Sequence, residues 1–161
     1  MNSRLRLEYI GLLMFFLFGP LLPDITIAQP SCVQLTNGSS LVQQVPITLG
    51  SVMRLKFRHS IYGSQVEEIF ALQHDGFHLT QLRYGEARLV DFYGHENARF
   101  DRDVWVVSPA SRRLQSLNLT TSAETPMSLY FENQSQFNPL ITQSSGALRL
   151  TLASCERRAH E

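Results

Sequence analysis

Residues 66–84, VEEIFALQHDGFHLTQLRY, decide the fold class of this chain. On either side of HDG, apolar side chains recur mostly at every second position, which is the period of a half-buried strand rather than of a helix. Asp75 and Gly76 indicate a tight turn between the two runs, because both central residues of the favoured hairpin turn need positive φ. The segment therefore predicts a β-hairpin.

The preceding residues 51–60, SVMRLKFRHS, alternate in the same way. Their apolar face comprises Met53, Leu55 and Phe57, and their basic face comprises Arg54, Lys56 and Arg58. Because adjacent residues of a strand point to opposite sides of a sheet, we expect the basic face to lie in water.

Further strand-like runs follow the hairpin, and turn-rich segments separate them. They read ARLVDFY, DVWVVS, RLQSLNLTT, MSLYFEN and ALRLTLAS. Strands at this spacing without a convincing helix predict an all-β fold, either an antiparallel β-sandwich or a small barrel. Pro46 and Gly50 confine any strand in the segment before residue 51 to a sheet edge, since proline cannot donate a ladder hydrogen bond.

The N-terminal residues 1–28 have the layout of a signal peptide. Arg4 and Arg6 supply the positive start, and an apolar stretch over residues 10–22 follows. This stretch is shorter than the roughly 20 residues that a spanning helix needs, so cleavage after residue 28 is favoured over a retained anchor. The remaining residues 29–161 fit a single all-β domain that is extracytoplasmic, whether periplasmic, at the cell surface or secreted.

Two cysteines, Cys32 and Cys155, lie near the two ends of this domain. In an oxidising compartment two cysteines are expected to form a disulfide bond, which here would join the first strand to the last. Two buried thiols are one alternative. A lipid on Cys32 is another, although Gln29 stands where a lipid-attachment signal needs an aliphatic residue.

The charges of the chain balance, with fourteen Lys and Arg against fourteen Asp and Glu. This composition carries no electrostatic footprint for nucleic acid, so we expect no nucleic-acid partner. Contact with a membrane is expected only through an uncleaved leader or a lipid anchor.

Candidate chemistry begins at His59, which continues the apolar face of its strand to the rim of the sheet. Glu68 shares the inward parity of Val66 and Phe70, and a buried carboxylate is costly unless it is paired. We therefore expect His59 to contact Glu68, as a structural polar pair or as part of a ligand-facing site. Glu67 has the opposite parity and is expected to be solvated.

A second group of polar and aromatic side chains follows the hairpin, where Arg83 and Tyr84 are joined by Tyr93. Arginine and tyrosine together can grip an anionic ligand or a partner protein, although strand surfaces carry them routinely. Ser60, next to His59, suggests a hydrolase only if the chain turns there, because a nucleophile and its base must lie within hydrogen-bond reach.

No metal ion or cofactor is expected. Three scattered histidines and one glutamate are far from a ligand set of the usual spacing; they are His74, His78, His95 and Glu96. The sequence also lacks a glycine-rich nucleotide loop, a GxSxG nucleophile elbow and a CxxC motif, which removes the usual enzyme classes.

Residues 55–85, LKFRHSIYGSQVEEIFALQHDGFHLTQLRYG, resemble the domain of unknown function 1850, a bacterial and archaeal family. The family pattern is a strand ending in His-Ser, a glutamate followed by an aromatic residue, and a hairpin into a strand with an arginine and aromatic pair. The matching positions are His59, Ser60, Glu68, Phe70, Asp75, Gly76, Leu82, Arg83 and Tyr84. The resemblance covers residues 50–95.

The resemblance implies a role, since members are small exported proteins that are often encoded beside TRAP transporters of the TAXI type. Those transporters import organic anions with an extracytoplasmic binding protein, so the implied partners are a transporter component or an organic anion. The family has no established activity. Many members carry a Gly-Ala-Gly stretch where this chain has EARLVDFYGHE, residues 86–96, so no site on that loop is carried over.

These observations together predict a non-enzymatic accessory protein that binds a partner protein or a small anion. The predicted binding residues are His59, Ser60, Glu68, Arg83 and Tyr84. A hydrolase that uses Ser60 with a histidine, and a purely structural envelope protein, are the alternatives.

Overall fold

The computed structural model describes residues 31–110, 112–122, 124, 127–132, 140–141 and 146–156. The predicted signal peptide, residues 1–28, lies outside the described residues. Within the described ranges, no helix has the length and apolar character needed to cross a membrane.

The described residues form twelve strands and one short helix, α1. The strands are β1 Ser31–Asn37, β2 Ser40–Ile47, β3 Val52–Arg58, β4 Gln65–Gln73, β5 Gly76–Tyr84, β6 Arg99–Asp101, β7 Val104–Val107, β8 Arg112–Leu114, β9 Ser116–Thr121, β10 Ser128–Phe131, β11 Leu140–Ile141 and β12 Gly146–Ser154. Helix α1, Ala87–Phe92, follows β5 directly. The run ARLVDFY was therefore wrongly predicted as a strand, because a short apolar run does not by itself distinguish the two structures.

The strands form two antiparallel sheets that share one core. The small sheet has the order β2-β1-β12-β9, and the large sheet has the order β11-β10-β3-β4-β5-β7-β6, with β8 also paired to β5. Leu35 and Leu150 of the small sheet belong to the same buried cluster as Met53 and Phe70 of the large one. The architecture is a β-sandwich, as the alternation of the sequence predicted.

The central hairpin of β4 and β5 is confirmed, but its turn differs from the prediction. His74 and Asp75 are the two loop residues, since Gln73 pairs with Gly76 as the first residue of β5. Gly76 has φ +134°, and a Cβ on it would lie 2.4 Å from the carbonyl oxygen of Leu114. The glycine is thus needed for its backbone angle and for the close approach of β8.

A bulge in β5 corrects the sequence period of the hairpin. Ile69 pairs with Gln81 and Phe70 with Leu79, so Thr80 is the extra residue, and its hydroxyl donates to the carbonyl oxygen of Ile69 at 3.0 Å. The extra residue shifts the alternation of faces by one position, so the residues after Thr80 point to the side opposite to the one that strict alternation predicts. Leu79 and Leu82 both lie in the core as a result, and Arg83 points to the opposite face.

Strand β2 lies at the edge of the small sheet, as Pro46 predicted. Pro46 is paired with Cys32 of β1, and β1 also pairs with β12 on its other side. Because the described residues place no second strand beside β2, a proline within it is tolerable, since only one side of the strand needs donors.

The predicted disulfide bond is present between Cys32 and Cys155, with Cα atoms 5.0 Å apart and a sequence separation of 123. Cys32 is paired in register with Ala153, so the bond fastens β1 to the end of β12. A bond of this kind is typical of oxidising compartments outside the cytoplasm.

Removing the bond through the double variant Cys32→Ser, Cys155→Ser should lower the free energy of unfolding by about 2–5 kcal/mol, because the bond closes a long loop in the unfolded chain. Urea denaturation measures this loss. Reductant should bring the unmodified protein to the level of the double variant and leave the variant unchanged. Equal unfolding midpoints without reductant would contradict stabilisation by the bond.

Candidate functional site

The five predicted binding residues do not form one site. By strand parity, His59, Glu68 and Tyr84 lie on the side of the large sheet that faces the small sheet. Arg83 lies on the outer face, directly opposite Glu67. Ser60 is exposed in the turn between β3 and β4. The sheet itself therefore divides the predicted set into two surfaces.

His59 closes the turn that joins β3 to β4. Its backbone N–H donates to the carbonyl oxygen of Ser64 at 2.9 Å, and its carbonyl oxygen accepts from Gly63 at 2.8 Å. The imidazole is buried, and its Nδ1 accepts the backbone N–H groups of Ile61 at 3.3 Å and Tyr62 at 3.4 Å. The histidine thus organises the turn that carries Ser60.

The expected contact between His59 and Glu68 is wrong. Glu68 pairs in register with Leu55, which is four residues before His59 and therefore roughly 13 Å away along the strand. Among the described residues, no hydrogen bond or ion pair joins the two side chains. Parity correctly predicted the face of both residues, but it does not set their position along the strand.

The imidazole of His59 belongs instead to a set of packed rings, which we call the aromatic cluster. Its members are His59, Tyr62, Tyr84, Phe92, Tyr93 and His95. The ring centroid of His59 lies 5.2 Å from that of Phe92 and 5.7 Å from that of Tyr93. Tyr93 stacks on Tyr84 at 5.6 Å. A hydrogen bond of 2.8 Å joins the hydroxyl of Tyr84 to Nε2 of His95.

The aromatic cluster is buried at its base and exposed at its outer rim. Tyr84 is 2% exposed and His59 is 7% exposed, whereas Phe92 is 50% and Tyr93 is 45% exposed. Ile61, whose backbone N–H donates to the imidazole of His59, is 69% exposed and is counted with the outer rim. Sequence analysis included Tyr93 in a polar and aromatic group. It missed Phe92, because this residue was interpreted as part of a strand instead of as the last residue of α1.

Helix α1 contributes a cation to the same rim. The guanidinium of Arg88 lies 4.7 Å from the ring centroid of Tyr62 and also donates to the carbonyl oxygen of Tyr62 at 3.2 Å. The same guanidinium forms an ion pair with Glu86. The stacked arginine adds a polar contact next to the exposed aromatic side chains.

Glu68 lies on the inner face, near Tyr84 and Tyr93 of the aromatic cluster. Burial raises the pKa of Glu68, and the charge of Arg112 lowers it by a smaller amount. Burial also raises the pKa of Tyr84 and of Tyr93, and the carboxylate of Glu68 raises both further. An ionised Glu68 is thus disfavoured by its surroundings.

Glu67, which was predicted to be solvated, is buried on the outer face with only 10% of its side chain exposed. Three cations surround its carboxylate: Arg54, Lys56 and Arg83. We call these four side chains the charged cluster. Oε1 of Glu67 lies 3.5 Å from Nη1 of Arg54 and 3.5 Å from Nζ of Lys56. Its Oε2 lies 3.7 Å from Nη1 of Arg83. The basic face of β3 therefore covers Glu67 instead of pointing freely into water.

Arg83 is held by its own neighbours on the outer face. Besides its ion pair with Glu67, its Nε donates to Oε1 of Gln81 at 2.8 Å. Arg54 likewise forms a second ion pair, with the exposed Glu132. Each of the two arginines therefore already has two polar partners within the chain.

A cleft of about 480 Å³ opens on the outer face at the same end of the sheet. Its wall includes Lys56, Arg58, Ser64, Gln65, Glu86 and Tyr130. The ammonium of Lys56 lies 5.2 Å from the ring centroid of Tyr130, which is on the neighbouring strand β10. The cleft thus adjoins the charged cluster through Lys56.

His78 makes a local pair at the hairpin turn. Nε2 of His78 lies 2.8 Å from Oδ1 of Asp75, and Arg113 reaches Oδ2 of the same aspartate at 3.2 Å. The hydrogen bond from His78 is the main reason that the pKa of Asp75 is lowered. In the part of the chain that the structure describes, no three His, Cys, Asp or Glu side chains are grouped to hold a metal ion.

Comparison with protein-family models, with curated protein sequences and with solved structures finds no match to this chain.

The variant Glu67→Gln should destabilise the fold by about 1–3 kcal/mol, because three cations then lie together without their shared carboxylate, in a partly exposed setting. Urea denaturation measures the loss, which should shrink in about 1 M salt, where charge repulsion is screened. The control is Glu132→Gln, whose exposed carboxylate contacts Arg54, with an expected loss of at most about 1 kcal/mol. Equal losses in the two variants would contradict this role of Glu67.

Glu68→Gln should change how stability depends on pH. Because burial raises the pKa of Glu68 above its ordinary 4.5, the folded chain keeps a proton that the unfolded chain has released. Stability of the unmodified protein should therefore fall as the pH rises from about 4.5 through the raised pKa, and the glutamine should remove this fall.

Urea denaturation of both proteins at about pH 4 and about pH 7 tests this expectation, since the advantage of Glu68→Gln should appear only at the higher pH. The matched control is Glu96→Gln, which removes an exposed carboxylate from the loop after α1. An advantage of the same size at both pH values would contradict the expected ionisation behaviour.

Proposed function

We propose that this chain is an exported, non-enzymatic accessory protein that binds a partner protein through the exposed rim of the aromatic cluster. The rim consists of Ile61, Arg88, Phe92 and Tyr93. The observation that carries the proposal is that Ile61, Phe92 and Tyr93 are between 45% and 69% exposed, next to buried rings that pack on one another.

The chemistry of the rim suits a protein partner. Tyrosine, phenylalanine and arginine are enriched where protein interfaces bury their centre, and a few such residues supply most of the binding energy. Phe92 and Tyr93 contact each other edge to face, with ring centroids 5.1 Å apart. A complementary partner presents a shallow apolar pocket with a polar margin that faces Arg88.

The aromatic side chains of the rim are also held in place by packing within the chain itself. Tyr93 stacks on the buried Tyr84, and Phe92 packs against the buried His59. Side chains that are already ordered lose less conformational entropy on binding, so more of the contact energy contributes to affinity.

The location and partner class rest on two supports. The disulfide bond between Cys32 and Cys155 is consistent with export, as is the predicted leader over residues 1–28. The resemblance to the domain of unknown function 1850 suggests a component of a TAXI-type TRAP transporter as the partner.

The non-enzymatic part of the proposal has a geometric support. A serine nucleophile needs a base within hydrogen-bond reach, yet among the described residues no hydrogen bond joins Ser60 to an imidazole or a carboxylate. Nδ1 of the neighbouring His59 already accepts two backbone N–H groups.

Pull-down from detergent-solubilised membranes of the source organism, with the purified chain as bait, tests the proposal. The unmodified chain should recover a transporter component, and Phe92→Ala combined with Ile61→Ser should reduce the recovery by at least about tenfold, as expected for loss of interface anchors. The matched control is Phe100→Ala, which removes an aromatic side chain that is 61% exposed on β6.

Two outcomes count against the proposal. Recovery of no transporter component under several detergent and salt conditions would contradict the partner class. Equal loss of recovery in the control variant and the rim variant would contradict the assignment of the binding surface to the rim.

A further inference from the structure

The cleft on the outer face has a surplus of positive charge. Arg54, Lys56 and Arg83 share the carboxylate of Glu67, and in the described part of the chain only Arg54 pairs with a further carboxylate, that of Glu132. Glu86 at the margin of the cleft is paired with Arg88, so its charge is offset. An anion that enters the cleft therefore meets a favourable field.

Arg58 is the cation that remains available in the cleft. It is exposed at the end of β3 and lines the cleft two residues beyond Lys56, on the same face of the strand. Among the described residues, no carboxylate pairs with its guanidinium. Two residues along a strand span roughly 7 Å, so the heads of Lys56 and Arg58 can reach one small ligand together.

Ser64 borders the same cleft, but its side chain belongs to the other face of the sheet. Its carbonyl oxygen accepts the backbone N–H of His59, so the two residues are cross-strand partners and share the inner face. The groups that a ligand in the cleft would meet are therefore the cations of the outer face.

The available donors indicate which anion fits. Phosphate sites commonly use backbone N–H groups of glycine-rich turns or helix N-termini. Here the N–H of Gly63 donates to His59 at 2.8 Å and that of Gly85 donates to Gln65 at 3.0 Å, so both are already used. The cleft offers a guanidinium and an ammonium, and the planar fork of the guanidinium suits the two oxygens of a carboxylate.

We propose that this cleft binds a small organic carboxylate, with Arg58 as its bidentate partner and Lys56 as the second cation. Its volume of about 480 Å³ lies within the range of ligand pockets. The site is on the outer face of the large sheet and does not use the aromatic rim, so it stands or falls independently of the partner surface.

The test is an NMR titration of the full chain, with its disulfide bond formed, against citrate, succinate and acetate. Inorganic phosphate and sulfate are titrated in parallel at constant ionic strength. At least one carboxylate should shift the backbone amide signals of residues 56–58 and 63–65 in a saturable way. Arg58→Glu should weaken that binding by about tenfold or more, as expected for loss of a charge-assisted pair.

Two further variants separate a built site from general attraction. Arg149→Glu makes the same charge change on an exposed arginine of β12 in the small sheet and should leave the affinity unchanged. Arg58→Lys keeps the charge but removes the planar fork, so it should weaken binding by about fivefold.

Four results would overturn the proposal. They are the absence of saturable shifts with any carboxylate, binding of phosphate or sulfate alone, an equal effect of Arg58→Glu and Arg149→Glu, and an unchanged affinity in Arg58→Lys.

Discussion

Strand β4 is hydrogen-bonded along both of its edges, and this constraint determines both surfaces of the large sheet. Its neighbours β3 and β5 leave no freedom of register, so each side chain of β4 must be accommodated on the face that its position assigns. Two consecutive glutamates in such a strand are placed on opposite sides of the sheet. Glu67 and Glu68 therefore need two different solutions to the cost of burying a carboxylate.

The two solutions differ in their physics. On the outer face, Glu67 forms ion pairs with Arg54, Lys56 and Arg83, which surround its carboxylate. On the inner face, Glu68 lies near tyrosines, and burial raises its pKa instead. The outer solution produces a cationic surface with a cleft beside it, and the inner one lies under the base of an aromatic surface.

The two surfaces meet at the turn between β3 and β4. His59 accepts the N–H groups of Ile61 and Tyr62 and contacts rings from α1, whereas Ser64, at the other end of the turn, lines the cleft. Arg88 links the two regions because it stacks on Tyr62 and pairs with Glu86. A change in the position of α1 would therefore alter the contacts of Arg88 at both surfaces.

The sequence by itself determined the fold class, the central hairpin, the edge position of β2 and the disulfide bond. These features depend on period-two alternation, on the missing donor of Pro46 and on there being only two cysteines, all of which are local or countable. It also assigned His59 and Glu68 to one face, since parity along a strand follows from geometry alone.

Only the tertiary structure decided which side chains come together. The bulge at Thr80 reversed the parity of Arg83 and brought it opposite Glu67, and no sequence signal marks that extra residue. The short helix α1 placed Phe92 and Tyr93 beside His59, because packing against β5 decided between helix and strand for an ambiguous apolar run. Contacts across a sheet depend on register, and register is fixed by the whole set of paired strands rather than by any one of them.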